Sequence, residues 1–252
     1  LLLSNASNAN LADPIGEGTI LDGDDAPAIT IDDVTVVEGD QASFTISLSH
    51  PSASTITVNY LTADGTAAEP GDYALRSGTV TFLAGELSKT VTVPTIEDPI
   101  DEPSETFDVN LAGASNATIA DPKGVGTILD DDATPSISID DVNVNEGEQA
   151  TFTISLSNPS ASTITVDVAT SDGTAHEPGD YTTRTETVTF LPGETSKTVT
   201  VPTVEDPIDE PNETFVIDLS SAVNATIADP LGVGTILDDD PTPTIAVNDV
   251  SV

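Results

Sequence analysis

The sequence contains no cysteine, methionine or tryptophan, and only 5 lysines and arginines stand against 44 aspartates and glutamates. Without cysteine the chain has no disulfide framework and no thiolate metal site. The formal net charge of −39 makes nucleic acid and anionic membranes poor partners, because both are polyanions. No apolar run approaches the length of a membrane span, so we expect no direct membrane insertion.

The apolar residues argue against disorder, which a high charge with few aromatic residues can indicate. They make up 37% of the chain and alternate with serine and threonine at the period of a strand. Phe44, Ile46 and Leu48 share one face of such a segment, and Val91 with Val93 share another. Further alternating positions are Ile56, Val58 and Tyr60, then Val80 and Phe82, then Phe107, Val109 and Leu111, with Ile119 and Ile128 on a last strand.

A period of 108 residues runs through the chain. The segment GEGTIL at 16–21 returns as GVGTIL at 124–129 and at 232–237, each 108 positions further on. The segment IEDPIDEPSETF at 96–107 returns as VEDPIDEPNETF at 204–215. A long fixed period indicates one structural unit used in series.

The period divides the chain into two full units, residues 26–133 and 134–241. Residues 1–25 are then the tail of a preceding unit and residues 242–252 the start of a following one. The missing methionine leads us to expect an internal stretch of a larger protein. About seven strands in about 100 residues predict, for each unit, an all-β immunoglobulin-like sandwich of two antiparallel sheets. The short linkers that follow Leu129 and Leu237 hold proline, so we expect the units to lie end to end.

The acidic residues are concentrated in a few loops. Segment 41–62 has no acid at all, whereas segment 95–105 has five. A general solubility role would spread the charge evenly, so the concentration favours discrete ion sites. The acidic segments lie just outside predicted strands, and alternate turns of a sandwich gather at one end. We therefore expect them to meet at the C-terminal tip of each unit, beside the linker.

Several segments, in this order, carry a family resemblance: DVTVVEG, DGTAAEPGDY, GTVTFLAGE, IEDPIDEPSETF and GVGTILDDD. Together they resemble the Calx-beta domain, a β-sandwich unit found in sodium–calcium exchangers, integrin β4 and many bacterial surface proteins. The resemblance covers both full units and both flanking pieces. It implies calcium binding at the distal loops.

The resemblance also implies a set of ligands in each unit. Those of the first unit are Glu38, Asp72, Glu97, Asp98, Glu102, Asp130, Asp131 and Asp132, with the backbone carbonyl of Ile100. Those of the second are Glu146, Asp180, Glu205, Asp206, Glu210, Asp238, Asp239 and Asp240, with the carbonyl of Ile208. The chain has Glu97-Asp98-Pro99 where the calcium-sensor pattern has three aspartates, so the resemblance implies a range of about two to four Ca²⁺ per repeat.

The donor set agrees with calcium on chemical grounds. Ca²⁺ takes about 6–8 oxygen ligands and tolerates irregular geometry, whereas Mg²⁺ demands a tighter octahedron. Zinc prefers histidine or cysteine, and neither occurs in these segments. His50 becomes Asn158 in the second unit, so it is expected to be a solvated loop residue. No nucleophile is paired with a repeated base, so we expect no enzyme activity.

These observations predict a calcium-stiffened structural repeat of a bacterial extracellular adhesin, stalk or surface filament. The expected partners are neighbouring repeats of the same chain and, in a fibre, other copies. One alternative is a calcium-sensing regulatory module, in which ion binding changes the angle between domains. A second alternative is an accessory part of a secreted enzyme.

Overall fold

The computed structural model of the chain describes residues 1–21 and 23–249 and contains two β-sandwiches in series. The strands of the first unit are β1 (Ala28–Ile31), β2 (Val34–Val37), β3 (Gln41–Leu48), β4 (Ile56–Asp64), β5 (Ser77–Phe82), β6 (Ser88–Pro94), β7 (Glu105–Ser115), β8 (Thr118–Ile119) and β9 (Lys123–Leu129). Those of the second are β10 (Ser136–Ile139), β11 (Val142–Asn145), β12 (Gln149–Leu156), β13 (Ile164–Asp172), β14 (Thr185–Phe190), β15 (Ser196–Pro202), β16 (Glu213–Val223), β17 (Thr226–Ile227) and β18 (Leu231–Leu237). The predicted all-β tandem sandwich is confirmed.

Each unit has a four-stranded and a five-stranded sheet. In the first unit their orders are β6-β3-β1-β8 and β2-β9-β7-β4-β5, and the second unit repeats both orders. Most neighbours are antiparallel, as expected, but β1 pairs with β8 and β2 with β9 in parallel. The structure also has nine strands per unit where the pattern suggested about seven.

Extra strands arise because the chain passes from one sheet to the other between β1 and β2. Asp32 and Asp33 separate β1 from β2, and their carboxylates take over backbone hydrogen bonds at the break. Asp32 Oδ1 accepts from the Thr45 amide at 2.6 Å, and Asp33 Oδ1 accepts from the Val125 amide at 2.8 Å. Short polar side chains that bond the backbone in this way interrupt a regular ladder. The chain thereby places β1 inside the four-stranded sheet and β2 at the edge of the five-stranded sheet.

The alternating apolar residues form the core between the two sheets. Phe44, Phe107 and Tyr73 are fully buried, with Tyr73 stacked on Phe107 at a centroid distance of 4.6 Å and 16° between planes. Phe44 meets Phe107 edge to face at 5.9 Å. Burying one such side chain contributes about 1.5–3 kcal/mol. The second unit repeats the cluster with Phe152, Tyr181 and Phe215 in its core.

Three expected core positions, Ile119, Ile128 and Tyr60, differ in the structure. Ile119 and Ile128 do not share a last strand: Ile119 lies on β8 beside β1, whereas Ile128 lies on β9 in the other sheet. The loop 120–122, which includes Pro122, separates them. Tyr60 is only partly buried and packs against the core cluster, whereas its counterpart Val168 is 1% exposed.

The repeated glycines of the GVGTIL segment are explained by close packing. A Cβ at Gly126 would lie 2.5 Å from the ring of Phe107, and one at Gly124 would lie 2.5 Å from the carbonyl oxygen of Asp32. Gly234 meets Phe215 in the same way. The motif is therefore a structural signature of the core and not a ligand-binding loop.

The flanking pieces keep traces of the repeat. Leu2 bridges Ile15, and the Leu3 amide donates to the Pro14 carbonyl at 2.8 Å. These are the counterparts, 108 residues earlier, of the Asn110–Lys123 pair and of the Leu111–Pro122 hydrogen bond. Residues 22 and 250–252 lie outside the described part, and the exact unit bounds of 26–133 and 134–241 stay a prediction.

The secondary structure described above consists of strands and turns. Among the residues that the structure describes, no helix is long and apolar enough to cross a membrane.

Candidate metal centre

Four acidic segments of the first unit, which carry Glu38, Asp72, Glu97 to Glu102 and Asp130 to Asp132, meet at one end of the sandwich, which we call the acidic pole. Backbone hydrogen bonds join their loops: the Glu38 amide donates to Leu129 at 3.0 Å, and the Ile96 amide donates to Asp72 at 2.9 Å. The Glu102 amide donates to Asp130 Oδ1 at 3.1 Å. One small polar cavity at this pole is lined by the carboxylates of Glu38, Asp72, Asp98, Glu102, Glu105 and Asp130.

Two groups of carboxylates lie within metal-binding reach. In the linker cluster, which consists of Glu38, Glu97 and Asp130–Asp132, one oxygen each of Glu38, Asp130 and Asp132 lie within 4.8 Å of one another. The same holds for Glu38 with Glu97 and Asp131. Glu38 belongs to both sets, so it bridges the two halves of this cluster. A carboxylate with two oxygens is suited to bridging neighbouring cations.

The second group is the loop cluster, formed by Asp72, Glu102 and Glu105, again within 4.8 Å. Glu105 was not among the predicted ligands. It opens β7 directly after the acidic loop, and in the sequence it reads as the first residue of a strand. The sequence signal that could have identified it is its repetition, 108 residues later, as Glu213. Glu213 likewise lines the cavity of the second unit.

The remaining predicted ligands lie close to these clusters. Asp98 lines the same cavity, and its Oδ1 accepts from the Ile100 amide at 2.9 Å. This turn fixes the backbone around Ile100, while the ligand role of its carbonyl stays a prediction. Asp101 instead points to the second unit, where its Oδ2 lies 2.8 Å from the Ser160 hydroxyl.

The second unit brings its predicted carboxylates together in the same way. Glu146 groups with Asp238 and Asp240, and also with Glu205 and Asp239. The cavity at this pole is lined by the acidic residues Glu146, Asp180, Asp206, Glu210, Glu213 and Asp238. The turn of Ile208 repeats that of Ile100, with its amide 2.8 Å from Asp206 Oδ1. All sixteen predicted carboxylates therefore lie at the two poles, eight in each unit.

The core holds these loops in place. The Tyr73 hydroxyl donates to Asp64 Oδ1 at 2.6 Å, and the same oxygen accepts from the Glu69 amide at 3.1 Å. Because the Tyr73 ring is fully buried, this link anchors the loop that carries Asp72. Gly39, with φ of 75°, makes the turn after Glu38, and a Cβ there would meet Glu97 Oε2 at 2.7 Å. Glycine therefore lets the two acidic loops touch.

The electrostatics of the pole oppose full ionisation without a cation. Burial, reinforced by the charges of Asp130 and Glu97, raises the pKa of Glu38 to about 7. Burial and a hydrogen bond with Asp72 likewise raise the pKa of Glu105 to about 7. In the second unit burial raises the pKa of Glu146 and, together with the nearby Asp238, that of Asp240. Crowded carboxylates disfavour each other's charged forms.

The basic side chains do not neutralise the poles. Lys89 and Lys197 pair with Glu86 and Glu194, three residues earlier, while Lys123 pairs with Asp108 and Arg184 with Glu186. None of these acids belongs to either cluster. Arg76 Nη1 donates to the Leu75 carbonyl at 3.4 Å, and the His176 ring lies close enough to Glu213 to act on its pKa. The ion pairs of the described residues therefore leave most of the negative charge of the poles uncompensated.

Three buried oxygens at the poles have no hydrogen-bond partner. Within the described residues, these are Glu38 Oε1, Asp132 Oδ2 and Asp240 Oδ2. A buried polar atom without a partner is costly, so such atoms mark a missing ligand or strain. All three belong to residues that are grouped with other carboxylates. An ionised carboxylate has no proton to donate to them, but neighbouring carboxylates can bind one cation together. An oxygen-binding cation such as Ca²⁺ fits these residues.

Because these carboxylate pKa values are raised, the stability of the metal-free protein should fall as the pH rises. Glu38 and Glu105 have folded-state pKa values of about 7, above the unfolded value of 4.5. Their contribution to stability is complete below that unfolded value and is lost as the pH rises through the folded value. We expect the melting temperature in the absence of metal to fall steadily from pH 5 to pH 8. Thermal unfolding in chelated buffers checks this, and a midpoint that rises over that range contradicts it.

Comparison with known proteins gives the following matches. A family model described as the Calx-beta domain matches residues 22–134 and 129–241. Human sodium/calcium exchanger 2 is 32% identical over 187 residues, which cover 66% of this chain and 20% of the exchanger. Dog sodium/calcium exchanger 1 is 27% identical over 188 residues, which cover 66% of the chain and 19% of the exchanger. The chain thus spans about a fifth of the length of these relatives.

Among solved structures, the crystal structure of CBD12 from CALX1.2 matches with a TM-score of 0.42 and 17% identity. The match covers 83% of this chain and all of that one.

Proposed function

The chain belongs to the Calx-beta family, and we propose that each of its complete repeats binds about two to four Ca²⁺ at the acidic pole. One observation carries the proposal. Glu38 is 7% exposed, bridges both halves of the linker cluster and has an oxygen that accepts no hydrogen bond. A buried carboxylate without a partner destabilises the fold unless a cation binds beside it.

The number of donors supports more than one ion per repeat. With Glu105, a pole offers nine carboxylates and therefore eighteen oxygens. At about 6–8 oxygens per Ca²⁺, these donors satisfy two ions outright and more where oxygens bridge. The two sets that share Glu38 favour such bridging.

Ions held by the linker cluster would lie at the domain junction. Asp130–Asp132 follow directly on β9, and β10 begins at Ser136. The same three residues are therefore ligands and linker, and Pro135 behind them is buried against the second unit. A bound cation removes the repulsion in this run and reduces the freedom of the junction. We propose that calcium stiffens the connection between repeats.

Two roles for the whole protein follow from this module. We favour a structural repeat in a stalk, adhesin or surface filament, because both units carry a linker cluster of the same composition. A sensor tends to divide its functions between unlike domains. Regulatory calcium sensing is the second candidate, and the matches to sodium/calcium exchangers support it. An extracellular, bacterial setting belongs to the first candidate alone, and the mammalian relatives do not support it.

An accessory role beside a secreted enzyme, with the chain itself inactive, also stays a proposal. Neither pole contains a nucleophile next to an activating base.

Single substitutions test the ligand assignment. We expect Asp131→Ala to weaken calcium binding in the first unit at least about tenfold, because even indirect support of a metal ligand is worth that much. Asp239→Ala should do the same in the second unit and leave the first unchanged. Both residues are exposed, so the metal-free fold should persist. Isothermal titration calorimetry measures both the affinity and the number of ions.

The matched control is Asp167→Asn. Asp167 Oδ1 accepts from the Thr187 hydroxyl at 2.6 Å, and in the first unit Asn59 Oδ1 accepts from Thr79 at 2.7 Å. The control therefore removes one negative charge while reproducing a side chain that the repeat already uses. Equal calcium binding in all three variants would defeat the assignment. Affinities near 10⁻⁴–10⁻³ M favour the structural role, and those near 10⁻⁷–10⁻⁵ M favour the sensor.

Small-angle scattering tests the stiffening. We expect the chain to show one well-defined maximum dimension with calcium and greater flexibility after chelation. Asp131→Ala should show the flexible behaviour even with calcium present. An unchanged maximum dimension and flexibility would leave calcium as a purely local stabiliser.

A further inference from the structure

An open groove lies on the flank of the first unit, between edge strands of its two sheets. β5 is at the edge of the five-stranded sheet and β6 at the edge of the four-stranded sheet. The groove has a volume of about 420 Å³, and its lining includes Tyr60, Arg76, Lys89 and four threonines of β5 and β6. None of these residues lines the cavity of the acidic pole. The chain has only 5 basic residues, and two of them line this one groove.

The backbone of Arg76 is held in the same way as that of its counterpart in the second unit, Arg184. The Arg76 amide donates to Thr62 Oγ1 at 3.0 Å, and the Arg76 carbonyl accepts from the Thr62 amide at 2.9 Å. Arg184 makes the same two bonds with Thr170, each at 2.9 Å. Any difference between the two guanidinium groups therefore comes from the side chains around them.

In the second unit the chain itself supplies a carboxylate to this arginine. Arg184 Nε donates to Glu186 Oε1 at 3.0 Å and Nη2 donates to Oε2 at 2.9 Å, which makes a bidentate pair. The first unit has Gly78 in place of Glu186. Within the described residues, the Arg76 guanidinium makes one hydrogen bond, from Nη1 to the Leu75 carbonyl at 3.4 Å. Arg76 is exposed, so its remaining donors can bind a carboxylate of another molecule.

A second exchange between the units accompanies the loss of this glutamate. The first unit has Tyr60 where the second has Val168. A Cβ at Gly78 would lie 3.0 Å from both Cε1 and the hydroxyl oxygen of Tyr60. The phenol thus takes up space beside position 78, and glycine allows it to lie there. Compared with the second unit, the groove has lost a carboxylate and gained an aromatic wall.

The rest of the lining is polar and rich in hydroxyl groups. The apolar lining residues Val80 and Val91 are buried, whereas the four threonines beside them are exposed. Lys89 Nζ donates to Glu86 at 2.8 Å and keeps two further donors. A peptide that adds a strand to a sheet edge takes its specificity from pockets for alternate side chains, and this lining offers hydroxyl groups instead.

We propose that this groove binds a sugar that carries a carboxylate, such as a uronic acid. Arg76 binds the carboxylate with the same donors that Arg184 uses for Glu186, and the Tyr60 ring packs against the apolar face of the sugar. Threonine hydroxyls both donate and accept hydrogen bonds, as sugar hydroxyls do. The net charge of −39 repels long polyanions, so the ligand carries isolated charges. The groove is separate from the acidic pole, so the inference does not rest on calcium binding.

Exchange of residues between the two units tests this proposal in the whole chain. Binding of methyl glucuronide is followed by the shifts of backbone amide signals in NMR spectra, with methyl glucoside as the neutral control. We expect the glucuronide to move signals of β5 and β6 and to bind at least about tenfold more tightly than the glucoside, because only the glucuronide has a carboxylate for Arg76. The double variant Y60V/G78E copies residues with which the second unit folds, and it should bind at least about tenfold more weakly.

The second unit provides the controls. The variant R184A should bind the glucuronide like the wild type, whereas R76A should lose the binding. The reciprocal variant V168Y/E186G should gain a site, with shifts in β14 and β15. Equal binding of glucuronide and glucoside, or unchanged binding by Y60V/G78E, would overturn the proposal. If an acidic peptide of alternating glutamate and threonine moves the same signals and the glucuronide does not, the groove is a peptide site and the sugar assignment is wrong.

Discussion

Calcium raises the melting temperature of this chain by about 10–20 °C at a free concentration a hundredfold above the dissociation constant. This expected result follows from preferential binding to the folded state, in which one site at that concentration contributes about 2.7 kcal/mol. A change of 1 kcal/mol moves the midpoint of a domain of this size by about 4–8 °C. The unfolded chain separates the acidic segments that the fold gathers, so it binds calcium weakly. Differential scanning calorimetry with calcium and with EDTA measures the effect.

The control for this measurement is ionic strength. Sodium chloride screens repulsion between carboxylates without coordinating them, so it should raise the midpoint only slightly. Magnesium should have an intermediate effect, because it keeps its waters and prefers a regular octahedron. If EDTA leaves the midpoint unchanged, or if sodium chloride replaces calcium fully, the acidic poles are not calcium sites.

The sandwich was predictable from the sequence because apolar and polar residues alternate along each half-buried strand, and the apolar ones mark the side that faces the core. Phe44, Ile46 and Leu48 alternate with serine and threonine, and all three are buried. Tyr73 was missed as a core residue, since it lies outside any strand and its segment reads as an acidic turn. Its burial depends on the stacking with Phe107, a contact between distant segments that periodicity does not reveal.

The position of the site was predictable for a similar reason. Turns that follow alternate strands gather at one end of a sandwich, so the four acidic segments had to meet. Glu105 escaped because it begins β7, where a side chain is expected to serve the sheet. The role of Asp101 was not predictable from one unit alone. Its carboxylate bonds to Ser160 of the next unit. Only the packing of the two units therefore distinguishes Asp101 from the predicted ligands beside it in the sequence.

A substitution at Glu38 should change stability in opposite directions with and without calcium. In the metal-free protein Glu38 is a buried acid among other acids, and burial with its neighbours raises its pKa to about 7. Glu38→Gln removes the buried charge and adds an amide that can donate to Asp130 or Asp132. Satisfying a buried polar group is worth about 1–3 kcal/mol, so the metal-free midpoint should rise by several degrees.

With calcium present the same change should lower the midpoint. Glu38 belongs to both sets of the linker cluster, so its loss removes a ligand from each half at once. The matched control is Glu86→Gln, which makes the same chemical change at a partly exposed carboxylate 2.8 Å from Lys89. That control should leave calcium binding intact and should not raise the metal-free midpoint, because Glu86 has a cationic partner. Thermal unfolding of both variants, with calcium and with EDTA, gives the four values needed. If Glu38→Gln is less stable than wild type in EDTA, the Glu38 carboxylate already has a favourable partner within the fold. The proposal of a cation at the pole would then lose its main support.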